Sequence, residues 1–203
     1  MGFYARHLGP RFVRCLCCRE DIAAERAKIV PRARGTVLEI GFGPGHNLPY
    51  YETGRVERVI GVDPNDGFLD LASTALAAAG MPVEIRKAPA EKLPLADASV
   101  DTAVVTYTLC SVADAGRSLA EVRRVLKADG ELLFLEHGLS PEDGVARWQR
   151  RLNPVWRALA VGCNLTRPVQ ALLTGAGFRV REIETFYLPG PRALTYHCRG
   201  VAG

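Results

Sequence analysis

Val37-Leu38-Glu39-Ile40-Gly41-Phe42-Gly43-Pro44-Gly45-His46 joins an apolar run, broken by one acid, to three glycines at alternate positions. Val37 to Ile40 read as a buried strand, and Gly41, Gly43 and Gly45 as a turn that brings backbone close to a ligand where a Cβ would collide. The spacing predicts a helix over 46–51 whose free N–H groups face the same space and suit a carboxylate or phosphate. A glycine turn alone can be a ligand-free strand-to-helix joint. The second signal is Val59-Ile60-Gly61-Val62-Asp63, another apolar strand ending on an acid about 20 residues beyond the glycines, where nucleotide-binding βαβ units keep a ribose acceptor. Gly41-x-Gly43-x-Gly45 is not the G-x-G-x-x-G of dinucleotide sites.

Outward from this stretch, strand and helix patterns alternate and imply an α/β chain with a parallel sheet covered on both faces. Strands are expected at 36–40, 58–62, 82–87, 101–106 and 131–137. Helices are expected at 46–51, 66–79, 114–127, 143–161 and 167–176, with Gly80, Gly130 and Gly177 as left-handed caps. Phe178 to Leu188 and Ala193 to Val201 form two extended runs. Pro189-Gly190-Pro191 is too short a joint for a helical crossover, so these runs should be antiparallel neighbours. Before the sheet, residues 3–18 place Leu8, Phe12 and Cys15 or Leu16 on one helical face, with Gly9-Pro10 interrupting it, and a second helix runs from Glu20 to Val30. The first helix reads as a lid, as a peripheral membrane contact, or as a helix packed on the sheet.

The chain has 203 residues, 48% of them hydrophobic, and a formal charge of +4. That suits one domain over 1–203, divided into a helical cap (1–34) and an α/β core (35–203) whose segment 138–167 faces the substrate. The charge is too small and scattered for a nucleic-acid binder. Six cysteines without disulfide spacing, no secretory leader and no membrane-length apolar run give a cytoplasmic expectation.

Glu39-x-Gly41-x-Gly43-x-Gly45 resembles the first motif of class I S-adenosylmethionine (SAM) methyltransferases. Leu93-Pro-Leu-Ala-Asp-Ala-Ser-Val-Asp101 is similar to the loop and fourth strand of the quinone and other small-molecule methyltransferases, and Arg124 to Gly130 with Leu132 to Glu136 to their next helix and strand. Thr108-Leu-Cys-Ser-Val112, Leu135-Glu-His-Gly138, Trp148-Gln149, Pro154-x-Trp156 and Gly162-Cys-Asn-Leu-Thr-Arg167 resemble the methyltransferase-like group that includes the animal alkyl-thiol S-methyltransferases. Those enzymes carry an N-terminal hydrophobic membrane anchor, and the apolar pattern of residues 1–34 gives no expectation of one here. The resemblance implies a doubly wound, Rossmann-like seven-stranded sheet of order 3-2-1-4-5-7-6 and SAM as cofactor.

It further implies that Glu39 and the loop Gly41, Phe42, Gly43, Pro44 and Gly45 hold the methionine end of SAM, with Asn47 in the same set. Asp63 then takes the ribose hydroxyls, Pro64 lies against the adenine, Ala90 and Glu91 border its edge, and Thr106 and Tyr107 border the methyl group. Pro89 stands where relatives often have an aspartate for the exocyclic amine. The expected acceptor is a small, apolar molecule, first a thiol, alternatively a phospholipid headgroup or quinone precursor methylated on N or C; a non-catalytic SAM-binding regulatory module is the third reading.

Among chemically suggestive residues, His137 ends an apolar strand at the expected mouth of the sheet and is either a general base, a donor to substrate or a structural histidine. Cys110 is adjacent to the expected methyl-transfer site. His46 reads as a helix-start residue, and His197 has a weaker claim on the pocket. Cys15 and Cys18, with Cys17 between them, lack a second ligand pair, so no metal is expected; they read first as small apolar fillers, and a resemblance to the cysteines of arsenite methyltransferases gives thiol ligation of arsenite as the lesser reading. The arginines at 147, 150, 151 and 157 read as a solvated helix face.

Overall fold

The computed structural model describes residues 8–203, without the side chain of Pro10. The helices are α1 (Gly9–Cys17), α2 (Glu20–Ile29), α3 (Asp66–Leu69), α4 (Ser73–Ala77), α5 (Ala115–Val125), α6 (Asp143–Leu159), α7 (Val169–Gly175) and α8 (Arg192–Thr195). The strands are β1 (Gly35–Ile40), β2 (Val56–Val62), β3 (Val83–Arg86), β4 (Val100–Thr106), β5 (Leu126–His137), β6 (Val180–Tyr187) and β7 (Tyr196–Ala202), in one sheet of order β3-β2-β1-β4-β5-β7-β6. The first five are mutually parallel, and β7 runs antiparallel to both β5 and β6.

Strand alternation sends side chains to two cores. Leu38, Ile40, Val105, Leu132 and Phe134 pack on one face with Leu119, Val122 and Val125 of α5 and Leu173 of α7. Val37, Val59, Val104, Leu133 and Leu135 pack on the other with Ile29 and Val30. Burial on both faces explains why these strands read as continuous apolar runs. The order reverses between β1 and β4, so the strand ends at Ile40, Val62, Thr106 and His137 open on one crevice, where doubly wound sheets bind ligands.

Several expectations are corrected. No α-helix follows the glycine loop; residues 46–51 form turns and a 3-10 segment at Leu48–Tyr50. Pro49 has no N–H to give an α-helix, and the chain closes instead through Leu48 N to Gly45 O and Tyr50 N to Asn47 O. The expected 66–79 helix divides into α3 and α4, joined by tight bonds from Leu71 N to Phe68 O and Ala72 N to Leu69 O; Gly67 near its start weakens a continuous helix. Gly177 is left-handed at φ 82°, whereas Gly80 and Gly130 are not.

Gly9-Pro10 opens α1 rather than interrupting a helix, since a proline in the first turn costs no hydrogen bond. Residues 3–7 of that expected helix lie outside the described residues. Leu8 and Phe12 are exposed, so α1 turns Val13 and Cys17 inward instead of the Leu8–Phe12–Cys15 face. The last two strands are antiparallel as expected, although α8 occupies the start of the second run. Among the described residues, no helix is long and apolar enough to cross a membrane.

Candidate functional site

A cavity of about 370 Å³ lies over the crevice between β1 and β4, within the size range of small-molecule sites. Its floor begins with the glycine loop. Gly41, Gly43 and Gly45 all have positive φ (67°, 55° and 78°), and Thr108 holds the loop's base by donating its hydroxyl to Ile40 O at 2.9 Å. A Cβ on Gly41 would lie 2.1 Å from Thr108 Oγ1, whereas one on Gly43 would meet only Gly41 O at 3.7 Å and project into open space. Gly41 is thus required by packing and Gly43 leaves room for a ligand.

Asp63, at the end of β2, is 5% exposed and on the cavity wall. Its Oδ2 accepts from Gly43 N at 3.0 Å and its Oδ1 from Asn65 N at 2.8 Å. Burial raises its pKa above the usual aspartate value, against the lowering pull of those two bonds. Each oxygen retains a lone pair for a further donor.

Under the loop is a polar network that no short motif contains. Asn47 donates Nδ2 to Glu39 Oε1 at 2.9 Å and to Thr106 Oγ1 at 3.0 Å, and Tyr51 donates its hydroxyl to Glu39 Oε2 at 2.7 Å. Arg26, from α2, donates Nη1 to Asn47 Oδ1 at 2.5 Å and to Thr106 Oγ1 at 2.7 Å, and its guanidinium stands 5.3 Å from the centre of the Tyr107 ring. Burial pushes the Glu39 carboxyl up to about 7, although its hydrogen bonds and the Arg26 charge favour ionisation. The Nε of Arg26, Nε2 of His46 and hydroxyl of Tyr107 are buried without a hydrogen-bond partner among the described residues, and all three residues border the cavity. Burial drives the His46 pKa down to about 4, so its ring is neutral at pH 7.

These groups fit the cofactor. Arg26 and Glu39 offer opposite charges to an amino-acid carboxylate and ammonium, Asp63 offers acceptors to a diol, and Pro64 and Ala90 offer apolar surface to a flat ring. The Glu91 side chain also borders the cavity, but its Oε1 accepts from Asp114 N at 3.0 Å, which ties it to the start of α5.

The rest of the wall is mostly apolar: Val13, Arg14 and Cys17 of α1, Ser111, Val112 and Ala113, and Ala160 and Val161 after α6 line it together with Tyr107. Tyr107 adopts φ 54° at the end of β4, a backbone conformation rare for an aromatic residue and common at ligand sites, with its amide donating to Leu135 O at 2.9 Å. Burial pushes the Cys17 thiol up to about 11.

Of the residues expected at the site, Glu39, Gly41, Phe42, Gly43, Pro44, Asp63, Pro64, Ala90, Glu91, Thr106 and Tyr107 reach the cavity wall. Asn47 stands behind Glu39, and Gly45 packs toward Ala75 and Leu48. His137 and Cys110 lie behind Tyr107 rather than on that wall: the His137 and Tyr107 ring centres are 6.3 Å apart, and His137 Nε2 is 2.9 Å from Cys163 Sγ. Burial opposes protonation of His137, but neighbouring Cys110 and Glu136 outweigh it and raise its pKa. His46, read as a helix start, instead borders the cavity beside a turn. His197 is buried against Tyr107 and Phe186, away from the lining. Arg26, Cys17 and Cys163 were not legible as site residues. Arg26 had one weak signal, a basic residue on the inward side of a helix preceding β1.

A family model described as a methyltransferase domain matches residues 38–134. The chain is 36% identical over 166 residues to thiol S-methyltransferase TMT1B of Rattus norvegicus, covering 77% of this chain and 64% of that protein. It is 34% identical over 170 residues to thiol S-methyltransferase TMT1A of Homo sapiens, covering 78% and 66%. The chain thus spans just under two thirds of the length of these relatives. The YcgJ protein of Bacillus subtilis superposes with a TM-score of 0.68 at 21% identity over 91% of this chain and 97% of that one, a likeness of fold. With this sheet order, glycine loop and set of relatives, the chain is a class I SAM-dependent methyltransferase domain that resembles the thiol S-methyltransferases.

Proposed function

We propose that the protein transfers the methyl group of SAM to a small apolar acceptor, and that the acceptor is a thiol. The observation carrying this reading is the uneven lining of the cavity: Arg26, Glu39 and Asp63 border it around the glycine loop, while the wall contributed by α1, the segment after β4 and the turn after α6 is mostly apolar (Val13, Val112, Ala113, Ala160 and Val161), with Arg14, Cys17 and Ser111 among them. The similarity to proteins named thiol S-methyltransferases supports sulfur as the nucleophile.

SAM supplies a sulfonium methyl that a nucleophile can displace. In this reading Glu39, Arg26 and the loop amides fix the methionine end, Asp63 the ribose, and Thr106 and Tyr107 the position of the methyl. Helices over 8–34 cap the cavity, and segment 138–167 shapes its acceptor side. An acceptor thiolate forms the new C–S bond as the sulfonium C–S bond breaks, leaving a thioether and S-adenosylhomocysteine. No proton moves in that step, so alignment in a dry pocket supplies most of the rate gain. A free thiol with a pKa near 8.5 is a few per cent ionised at neutral pH. His137 is 8% exposed and faces Cys163, so we assign it, with Cys110, to positioning Tyr107 rather than to deprotonating the acceptor.

The test is conversion of SAM to S-adenosylhomocysteine with a panel of alkyl thiols, phenols and amines. Thiols should be methylated, with a rate that rises through the thiol's own ionisation. Turnover of phenols or amines with no thiol product would overturn the reading. A limb near pH 6–7 that disappears in His137→Gln would return His137 to the role of base.

A further inference from the structure

Behind the acceptor end of the cavity, three side chains that can ligate metal converge from separate parts of the fold. Cys110 follows β4, His137 ends β5, and Cys163 lies in the loop after α6. Cys110 Sγ, Cys163 Sγ and a His137 ring nitrogen all lie within 4.8 Å of one another. Cys110 is 2% and His137 8% exposed, and Cys163 is half-buried. Tetrahedral zinc with Zn–S of about 2.3 Å and Zn–N of about 2.0 Å sets its ligand atoms roughly 3.5–3.8 Å apart, a spacing that sub-ångström side-chain shifts within this cluster can supply.

His137 Nε2 and Cys163 Sγ already face each other at 2.9 Å as a hydrogen-bonded pair, and Trp156 Nε1–H donates to the same sulfur at 3.3 Å; a metal ion replacing the shared proton would widen the first distance to about 3.5 Å. The N–H of Trp156 is the kind of outer partner that supports a metal-bound thiolate. Two thiolates also neutralise a divalent cation, so the assembled site would carry no net charge into a buried setting. One imidazole and two thiolates select soft or borderline ions over calcium or magnesium.

We propose that Cys110, His137 and Cys163 bind one divalent cation of the zinc type, fastening the 160–167 loop to the ends of β4 and β5. That loop already meets β4 through Asn164 N to Cys110 O at 2.9 Å, and its Ala160 and Val161 border the cavity. A bound ion would therefore hold the acceptor wall. The proposal does not depend on which acceptor is methylated.

Cobalt(II) titration of the reduced full chain tests it. One equivalent should bind, with thiolate-to-cobalt charge-transfer and tetrahedral d–d absorption that zinc abolishes. His137→Gln and Cys163→Ser should each weaken binding at least 100-fold while circular dichroism stays native; Cys163 is half-buried, so its variant keeps the test valid if the histidine variant unfolds. Cys15→Ser/Cys18→Ser, at the exposed end of α1, should bind as wild type. Hydrogen exchange over 160–167 should slow on metal addition. The proposal is overturned if no such absorption appears, if it survives in both ligand variants, if it is lost only in the Cys15/Cys18 variant, or if exchange of the loop ignores the metal.

Discussion

The two ends of the cavity are built on different plans. The cofactor end is mostly local: Glu39, Gly41, Gly43 and Asn47 lie within one stretch of nine residues, and Asp63 follows from the adjacent parallel strand, held in register by Glu39 opposite Gly61 and Ile40 opposite Val62, with Arg26 and Thr106 as the two long-range members. The acceptor end draws on α1, the end of β4 and the turn after α6, which meet only in the folded chain. Backbone geometry therefore fixes most of the first end, with the Arg26–Asn47–Thr106 bonds beneath it, and side-chain packing between distant elements fixes the second. Changes at the first should act on SAM binding, and changes at the second on the acceptor.

The largest expected effect is at Gly43. Valine there places a branched side chain in the open space of the loop and holds it at φ 55°, at a local cost of about 1–2 kcal/mol that the core can absorb. SAM affinity should fall more than about 100-fold, by loss of several contacts at once. A folded Gly43→Val variant that binds SAM normally in calorimetry would break the assignment of the loop as the cradle. Asp63→Ala should follow, removing charge-assisted bonds worth roughly 1.5–3 kcal/mol, or about 10- to 150-fold in affinity. It also leaves Gly43 N and Asn65 N without their acceptor, so part of the loss comes from a looser loop. Asp63→Asn separates the two contributions, because it can keep the backbone bonds while losing the charge.

The same contrast governs what could be read in advance. The antiparallel final pair and most of the loop side were legible because glycines, strand-end acids and apolar runs have short-range physical signatures, whereas the sheet order came from the family resemblance. The helix after the loop was not, since Pro49 outweighs the strand–turn–helix pattern. Arg26 was missed because its value lies in reaching Asn47, 21 positions on, and Thr106, 80 positions on. The cluster of Cys110, His137 and Cys163 escaped for the same reason. Sequence proximity drew attention to Cys15, Cys17 and Cys18 instead, of which only Cys17 turns toward the cavity.

On the acceptor side, deletion of residues 1–18 sharpens the comparison. It removes Val13, Arg14 and Cys17 from the wall but leaves α2 with Arg26, so kcat/KM for the acceptor should fall about tenfold, the value of one lost apolar contact of ~1.5 kcal/mol. SAM affinity should change less than about threefold. Equal losses in both, in a protein that remains folded, would mean that α1 supports the whole cavity rather than one end.

The smallest effect is a pH dependence that distinguishes the two ends by proton linkage. Glu39 and Glu136 are both buried and both pushed up to about 7, chiefly by burial, but Glu39 borders the cavity and Glu136 does not; Glu136 Oε1 instead accepts from Thr108 N at 2.7 Å and Leu109 N at 3.0 Å. A carboxyl whose folded pKa exceeds its unfolded one holds its proton longer in the native state, so stability without ligand should fall as pH rises from about 4.5 through 7, by on the order of 3 kcal/mol for each group. Glu39→Gln and Glu136→Gln should each flatten that fall in denaturation measured against pH. Ligand affinity should separate them. The ammonium of SAM favours ionised Glu39, so binding expels its proton and wild-type affinity should rise about threefold between pH 6.5 and 7.5, with proton release visible in calorimetry across buffers of different ionisation enthalpy. Glu136→Gln should preserve that rise and Glu39→Gln should abolish it. Loss of the rise in Glu136→Gln would mean that the two carboxyls titrate as one coupled system across the sheet, and that the ends of the cavity are not independent.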